Sequence, residues 1–302
     1  MSSKPFLPVN SMALKNLVAS LILAVVVAAM SSCSTSQGNE DTALTIATFN
    51  MEWLGDGDGD QKPRTDKDYL SIADIVVKTE ADVIGIQEIE NQEALNKVLR
   101  YLTGYKGVVV DGGTKQNVGL IYRDRISVEN ATPFWPLVLE EQGRLRPGLV
   151  VRCKKGSFDW LMMVVHLKST SRYDSTAELR ERARVMRTRQ SGLIQVWADS
   201  VIDAGAERDV MIVGDFNDYP GNRKLPTLTT LADNSKLRFL TERVKSCRMP
   251  TLTTIDHILV SSDVASRFVK ETDRTENFRA FLPPDAADRV SDHCPVMVRI
   301  RL

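Results

Sequence analysis

Asn50, Glu88, His166, Asp215 with Asn217, Asp256, and Asp292 with His293 each stand at or beside one end of an apolar run. The chain has 3 histidines, His166, His257 and His293, and all lie in or beside these stations. One polar strand end is ordinarily a turn. Six separate ones are hard to explain by packing. Carboxylates and amide oxygens are hard ligands that suit Mg2+, with Mn2+ or Ca2+ as alternatives. Imidazoles move protons near neutral pH, and an aspartate orients an imidazole and stabilises its charged form. No cysteine–histidine cluster argues for zinc, no G-x-S-x-G supplies a serine nucleophile, and no glycine-rich nucleotide loop occurs. A hard cation, a proton-transferring imidazole and anion-binding amides together suit attack of water on a phosphoester.

These side chains need strands to carry them. Residues 210–213 form a four-residue apolar run that ends at Gly214 and Asp215, as a strand buried on both faces does. Similar runs at 44–49, 82–86, 118–122, 160–166, 255–260 and 295–300 read as further strands, and 149–153 pairs with 160–166 as a hairpin. Helical spacing covers 66–79, 91–102 with Asn91 as N-cap, and 176–202. Strand alternation turns His257 away from Asp256, to a structural role, and Asp218 reads as a turn residue. Six arginines between Arg172 and Arg189 are expected to form a solvated helix face. The acidic loop at 56–60 departs from an EF-hand, with Gln61 at the sixth position and Lys67 at the twelfth, and reads as solvated. Strand pairs and strand–helix units occur about equally, which predicts one α+β domain with two packed sheets and helices outside.

Lys+Arg and Asp+Glu both total 39 in 302 residues, so no whole-protein basic field marks a nucleic-acid binder. Residues 1–33 have a positive start, an apolar run at 17–30 and small residues before Cys33, the pattern of a signal peptide. The run is short for a membrane span. Residues 34–43 read as a polar tether and 44–302 as the folded domain. Export permits a disulfide among Cys153, Cys247 and Cys294, but buried free thiols are expected at Cys153 and Cys294.

The motifs ATFNMEW, IGIQEIEN, VGLIYR, VVHLKS, VGDFND, TIDHILVS and SDHCPV occur in the order seen in the endonuclease/exonuclease/phosphatase (deoxyribonuclease I-like) superfamily, which the chain resembles from about Leu44 to Arg301. Ser31-Ser32-Cys33 resembles a bacterial lipoprotein signal, with Met30 where leucine is preferred, and implies a lipid anchor at Cys33. The superfamily resemblance implies a four-layer α/β/β/α sandwich of two packed mixed sheets. It assigns metal binding to Glu88, supported by Asn50 and Asp292. Asp215 would activate water, Asn217 and His166 would contact the phosphate, with Lys168 a further candidate, and His166 would protonate the leaving group. His293 would be a general base or a charged stabiliser, oriented by Asp256. The sequence departs from deoxyribonuclease I-like members at Gln116 and Asn117, where a glutamate would pair with the first histidine; Gln116 is a candidate hydrogen-bond partner of His166 but cannot match a carboxylate's effect on its pKa, which counts against the proton-donor role for His166. The leading expectation is an exported or membrane-anchored metal-dependent phosphodiesterase acting on nucleic acid. A phospholipid or sphingomyelin phosphodiesterase, a phosphomonoesterase and a non-catalytic binding module are the alternatives. A monomer without an obligate protein partner is expected.

Overall fold

A computed structural model describes residues 42–139, 145–171 and 173–302. The expected signal peptide, nearly all of the tether, and Cys33 lie outside the described residues. Among the described residues, no helix is long and apolar enough to cross a membrane.

The first sheet is built from β1 (Ala43–Leu54), β2 (Val83–Ile89), β3 (Tyr105–Val109), β4 (Asn117–Arg123), β11 (Arg274–Thr275) and β12 (Val296–Arg301), in the order β11-β12-β1-β2-β4-β3. The second contains β5 (Ser127–Phe134), β6 (Gly148–Lys155), β7 (Phe158–His166), β8 (Val210–Asp215), β9 (Leu237–Phe239) and β10 (Asp256–Ser261), in the order β5-β6-β7-β8-β10-β9. Each sheet has a parallel pair joined by a helix crossover: β1 and β2 through α1 (Asp66–Lys78), and β7 and β8 through α3 (Ala177–Asp203). The short α2 (Gln92–Leu99) follows β2, and Asn91 caps it by accepting from the Ala94 N–H at 2.9 Å.

Alternation along the strands builds three apolar layers. Leu44 and Ile46 of β1 face the second sheet and pack with Val164, Val213 and Ile258. Ala47 and Phe49 face the other way, onto Ile72, Val76 and Leu95 of the helices. On the far side, Ile194 and Ala198 of α3 cover Met163, Val165 and Ile212. The result is a four-layer α/β/β/α sandwich, as the resemblance implies.

Three expectations change. Cys294 is not a free thiol: it is bonded to Cys247, with Cα atoms 6.2 Å apart and a sequence separation of 47. Only the tertiary fold brings the 241–254 segment against the turn before β12. Cys153 is free and buried, and burial pushes its thiol up to about 12. Arg187 does not belong to a solvated face: it is buried and donates to the Lys168 carbonyl and to Thr227 Oγ1. The helix expected over 91–102 ends earlier, at Leu99. Opening the disulfide with Cys247→Ser/Cys294→Ser should lower unfolding free energy by roughly 2–4 kcal/mol, as loss of a cross-link of this span does. Urea melts test this, and an unchanged midpoint would sink it.

Candidate active site

The two parallel pairs bring several strand ends to one edge of the sandwich. In the second sheet, the register places His166 opposite Asp215 on one side and Asp256 opposite Asp215 on the other. Three of the polar stations therefore form one row across neighbouring strands. Gly214, just before the row, has φ 151°, and a Cβ there would overlap the Val165 carbonyl. A side chain at this position would push β7 and β8 apart.

The first sheet supplies the other wall. The β2–β4 register shifts between Gln87 and Ile89, which leaves Glu88 as an extra residue. Glu88 has a left-handed backbone, φ 62°, rare for a residue with a side chain. The bulge aims its carboxylate at the second sheet. Glu88 Oε2 accepts from the Trp53 N–H at 3.1 Å. Asn50 Nδ2 donates to Glu88 Oε1 and to Asp215 Oδ2, both at 3.2 Å, and so bridges the two sheets. Its Oδ1 accepts from the Glu52 N–H at 2.9 Å. Ser291 Oγ donates to the Asn50 carbonyl at 2.7 Å and accepts from the His293 N–H at 3.0 Å, tying the last loop to β1.

His293 Nδ1 lies 2.8 Å from Asp256 Oδ2, and its Nε2 lies 3.9 Å from both Asp215 Oδ2 and Asp292 Oδ1. Burial disfavours its charged form, but Asp256, by charge and hydrogen bond, then Asp215 and Asp292 outweigh burial. They hold the imidazole well above its usual range. His166 Nε2 is 3.6 Å from Asp215 Oδ2 and 3.8 Å from Glu88 Oε1. Burial, then the charges of Arg146 and His293, hold His166 well below its usual range. Burial also pushes Asp215 up to about 7, His293 opposes this, and Asp256 and Glu88 add to it. The two histidines thus take opposite charge states at neutral pH.

The structure places the remaining sequence candidates as follows. Asn217, with φ 52°, donates its own N–H to Asp215 Oδ1 at 2.8 Å and its side-chain amide to the Leu167 carbonyl at 3.1 Å. Asp292 stands at the rim, 3.3 Å from Arg248 Nη1. Lys168 Nζ is 3.2 Å from Asp174, in the loop after β7, and is not drawn into the row. His257 is fully buried on the opposite face, edge-on to Phe216 and Phe239, and burial lowers it to about 4. Asp218 caps its own turn, accepting from the Thr227 N–H and hydroxyl. Sequence reasoning missed Ser291 and Arg146. Ser291 could have been read from its place two residues before His293. Arg146 sits in a Pro/Gly connector and carries no local signal.

A divalent cation fits these donors. Ligand atoms of Asp215, Asp256 and His293 lie within 4.8 Å of one another, and Glu88 faces Asp215 across Asn50. Asp256 Oδ1 is buried with no hydrogen-bond partner among the described residues. Three carboxylates, Glu88, Asp215 and Asp256, meet two cations, the His293 imidazolium and the buried Arg146 guanidinium. Glu88 would hold the ion, with Asn50 Nδ2 fixing its carboxylate relative to Asp215.

Packed mixed sheets with a carboxylate–imidazole cluster at one edge define a class of hydrolytic phosphoesterase. The model of the Endonuclease/Exonuclease/phosphatase family matches residues 47–293, and the chain belongs to that family. Its members are divalent-metal-dependent phosphoester hydrolases, and this chain is an enzyme of that kind. A search of curated proteins found no match. Among solved structures, an endonuclease/exonuclease/phosphatase family protein from Bacteroides thetaiotaomicron is 21% identical with a TM-score of 0.61, covering 86% of this chain and 95% of that one. Truncated Caenorhabditis elegans TDP2 is 15% identical with a TM-score of 0.59, covering 86% and 98%. A Bacteroides thetaiotaomicron mannosyl-6-phosphatase is 19% identical with a TM-score of 0.57, covering 84% and 98%. At these identities the likeness shows the fold alone.

Proposed function

We propose that this enzyme is an exported phosphodiesterase, anchored to a membrane through a lipidated Cys33, that hydrolyses nucleic acid with Mg2+. The reading rests on the row His166–Asp215–Asp256, with Glu88 opposite and His293 hydrogen-bonded to Asp256. The Cys247–Cys294 disulfide supports a compartment outside the reducing cytoplasm.

In this reading, Asp215 takes a proton from the attacking water as its oxygen bonds to phosphorus, the ester P–O bond breaks, and the departing oxygen is protonated from solvent. Its raised carboxyl is poised near neutral pH, where a base combines correct ionisation with driving force. His293, charged and held by Asp256, donates from Nε2 to the phosphoryl oxygens as negative charge builds. The Asn50 amide keeps the Glu88 and Asp215 carboxylates at a fixed separation. A bound cation supplies Lewis-acid stabilisation of phosphoryl oxygen.

A second reading, a small phosphomonoester or a lipid headgroup ester, has one observation in its favour. A cavity of about 410 Å3 opens beside His293, lined by Tyr219, Met249, Leu252, Ile255 and the disulfide, with Arg248 among its lining residues. That volume holds one compact group beside the scissile phosphate, within the usual range of small-molecule pockets. A panel of plasmid DNA, RNA, sphingomyelin vesicles and sugar phosphates, each with Mg2+, Mn2+ or Ca2+, separates the readings. Cleavage confined to sugar phosphates or lipid would overturn the nuclease proposal, and no cleavage of any would overturn both. Chelation with EDTA should abolish turnover and Mg2+ should restore it. Mg2+ at about 100 times its dissociation constant should also add roughly 2.7 kcal/mol of stability, read as a higher Tm.

A further inference from the structure

Arg146 meets His166 directly, from a position the strand register explains. It lies just before β6, which runs antiparallel to β7 with Leu149 opposite Val164. Continuing that register by two residues sets Pro147 level with His166, so Arg146 enters from behind the imidazole. The arginine is 7% exposed, and its Nη1 lies 2.6 Å from His166 Nδ1. The expectation that Gln116 would hold His166 is therefore not met. The Gln116 N–H instead donates to Thr114 Oγ1 in the turn before β4.

A guanidinium only donates hydrogen bonds. The Nδ1 that meets it must carry its lone pair, and the ring proton must then sit on Nε2. That nitrogen is the one that faces Asp215 and Glu88, at 3.6 and 3.8 Å. We infer that Arg146 is a positioning residue that fixes His166 as an Nε2–H donor aimed at the phosphoryl group. With its second nitrogen committed to Arg146, His166 has no extra proton to give a leaving group. Its role is to bind a phosphoryl oxygen, and the proton-donor role implied by the resemblance is replaced. The buried guanidinium also sets a permanent positive charge behind Glu88 and Asp215, which a glutamate partner would not. The inference rests on the phosphoesterase reading for its consequence, but the tautomer is independent of any substrate.

The test uses the full-length protein with 15N-labelled histidine. In the wild type, NMR correlations from the ring carbons should show His166 protonated at Nε2 and accepting at Nδ1. Arg146→Met should release Nδ1 and shift the His166 signals toward the other tautomer. It should lower kcat roughly 10- to 100-fold, the range seen when the partner orienting a functional imidazole is lost, with little change in KM. Arg146→Lys, which keeps a buried donor, should recover much of the Nε2–H signature and of kcat. A proton on Nδ1 of wild-type His166 overturns the inference whatever the activity, and needs no variant to fold. An unchanged His166 spectrum in a folded Arg146→Met also overturns it. If the wild type hydrolyses no phosphoester, the functional reading fails while the tautomer result still stands on its own.

Discussion

Replacing Asp215 with Asn should lower kcat by roughly three to four orders of magnitude while leaving the fold intact. Asn217 N–H and Asn50 Nδ2 both donate to this carboxylate, at 2.8 and 3.2 Å, and an amide oxygen can accept from one of them. The lost function is proton transfer, worth about 10²–10⁴ in rate, together with a negative oxygen toward the cation. Stability should move the opposite way. Asp215 is pushed up to about 7 in the fold from an ordinary 3.8. A group raised on folding contributes stability that is fully present below the unfolded value and is lost as pH rises through the folded one. At pH 8 the wild type has lost that contribution, whereas the Asp215→Asn variant, neutral at every pH, keeps it. In EDTA at pH 8, Asp215→Asn should therefore melt above the wild type, and at pH 4 the two should converge. A variant that retains activity, or that melts well below the wild type at pH 8, contradicts the role given to this carboxyl.

His293→Ala should reduce kcat/KM by about 10³, and Asp256→Ala by nearly as much. The double variant should be no worse than His293→Ala alone. The reason is geometric. Asp256 Oδ2 is 2.8 Å from His293 Nδ1, so its main hold on the reaction runs through the ring. Residues that act as a unit are grossly non-additive in such cycles. Asp256 does two things for the imidazole: it holds Nδ1–H so that Nε2 points to the site, and it keeps the ring charged against the cost of burial. Asp256→Asn keeps the first effect in part and removes the second, so it should fall between wild type and Asp256→Ala. Steady-state kinetics on the best substrate of the panel would show this. Additive losses in the double variant would mean that Asp256 serves the reaction independently of His293.

The chemistry was legible early because strand ends advertise themselves. An apolar run that stops at Gly214-Asp215, or one that starts just after Asp256, exposes a polar group at a sheet edge whatever the rest of the chain does. The separation of Asp256 from His257 followed from alternation alone, and the structure buries His257 between Phe216 and Phe239. Asp292 illustrates the limit. It stands beside His293 in sequence, and in the fold it lies between His293 Nε2, 3.9 Å from its Oδ1, and Arg248 of the loop after Cys247, 3.3 Å from its Oδ2. Lys168 is likewise next to a strand end, and Asp174, six residues on, engages its ammonium.

What the sequence by itself determined is therefore the inventory: which side chains stand at strand ends, the period that builds two sheets, and the hard-ligand, imidazole-based chemistry they suit. Those properties depend on residue type and on spacings of a few residues. The tertiary structure alone decided which of them meet. Asn50 and Asp215 are 165 residues apart and touch only because two sheets pack face to face. Glu88 turns inward only because β2 bulges against β4. Arg146 reaches His166, and Cys247 reaches Cys294, from connectors with no periodicity to read. Proton positions belong to the same category. Burial pushes both histidines toward the neutral form, and the charge that packing sets beside each decides the outcome: at His166 Arg146 adds to burial, while at His293 Asp256 overrides it.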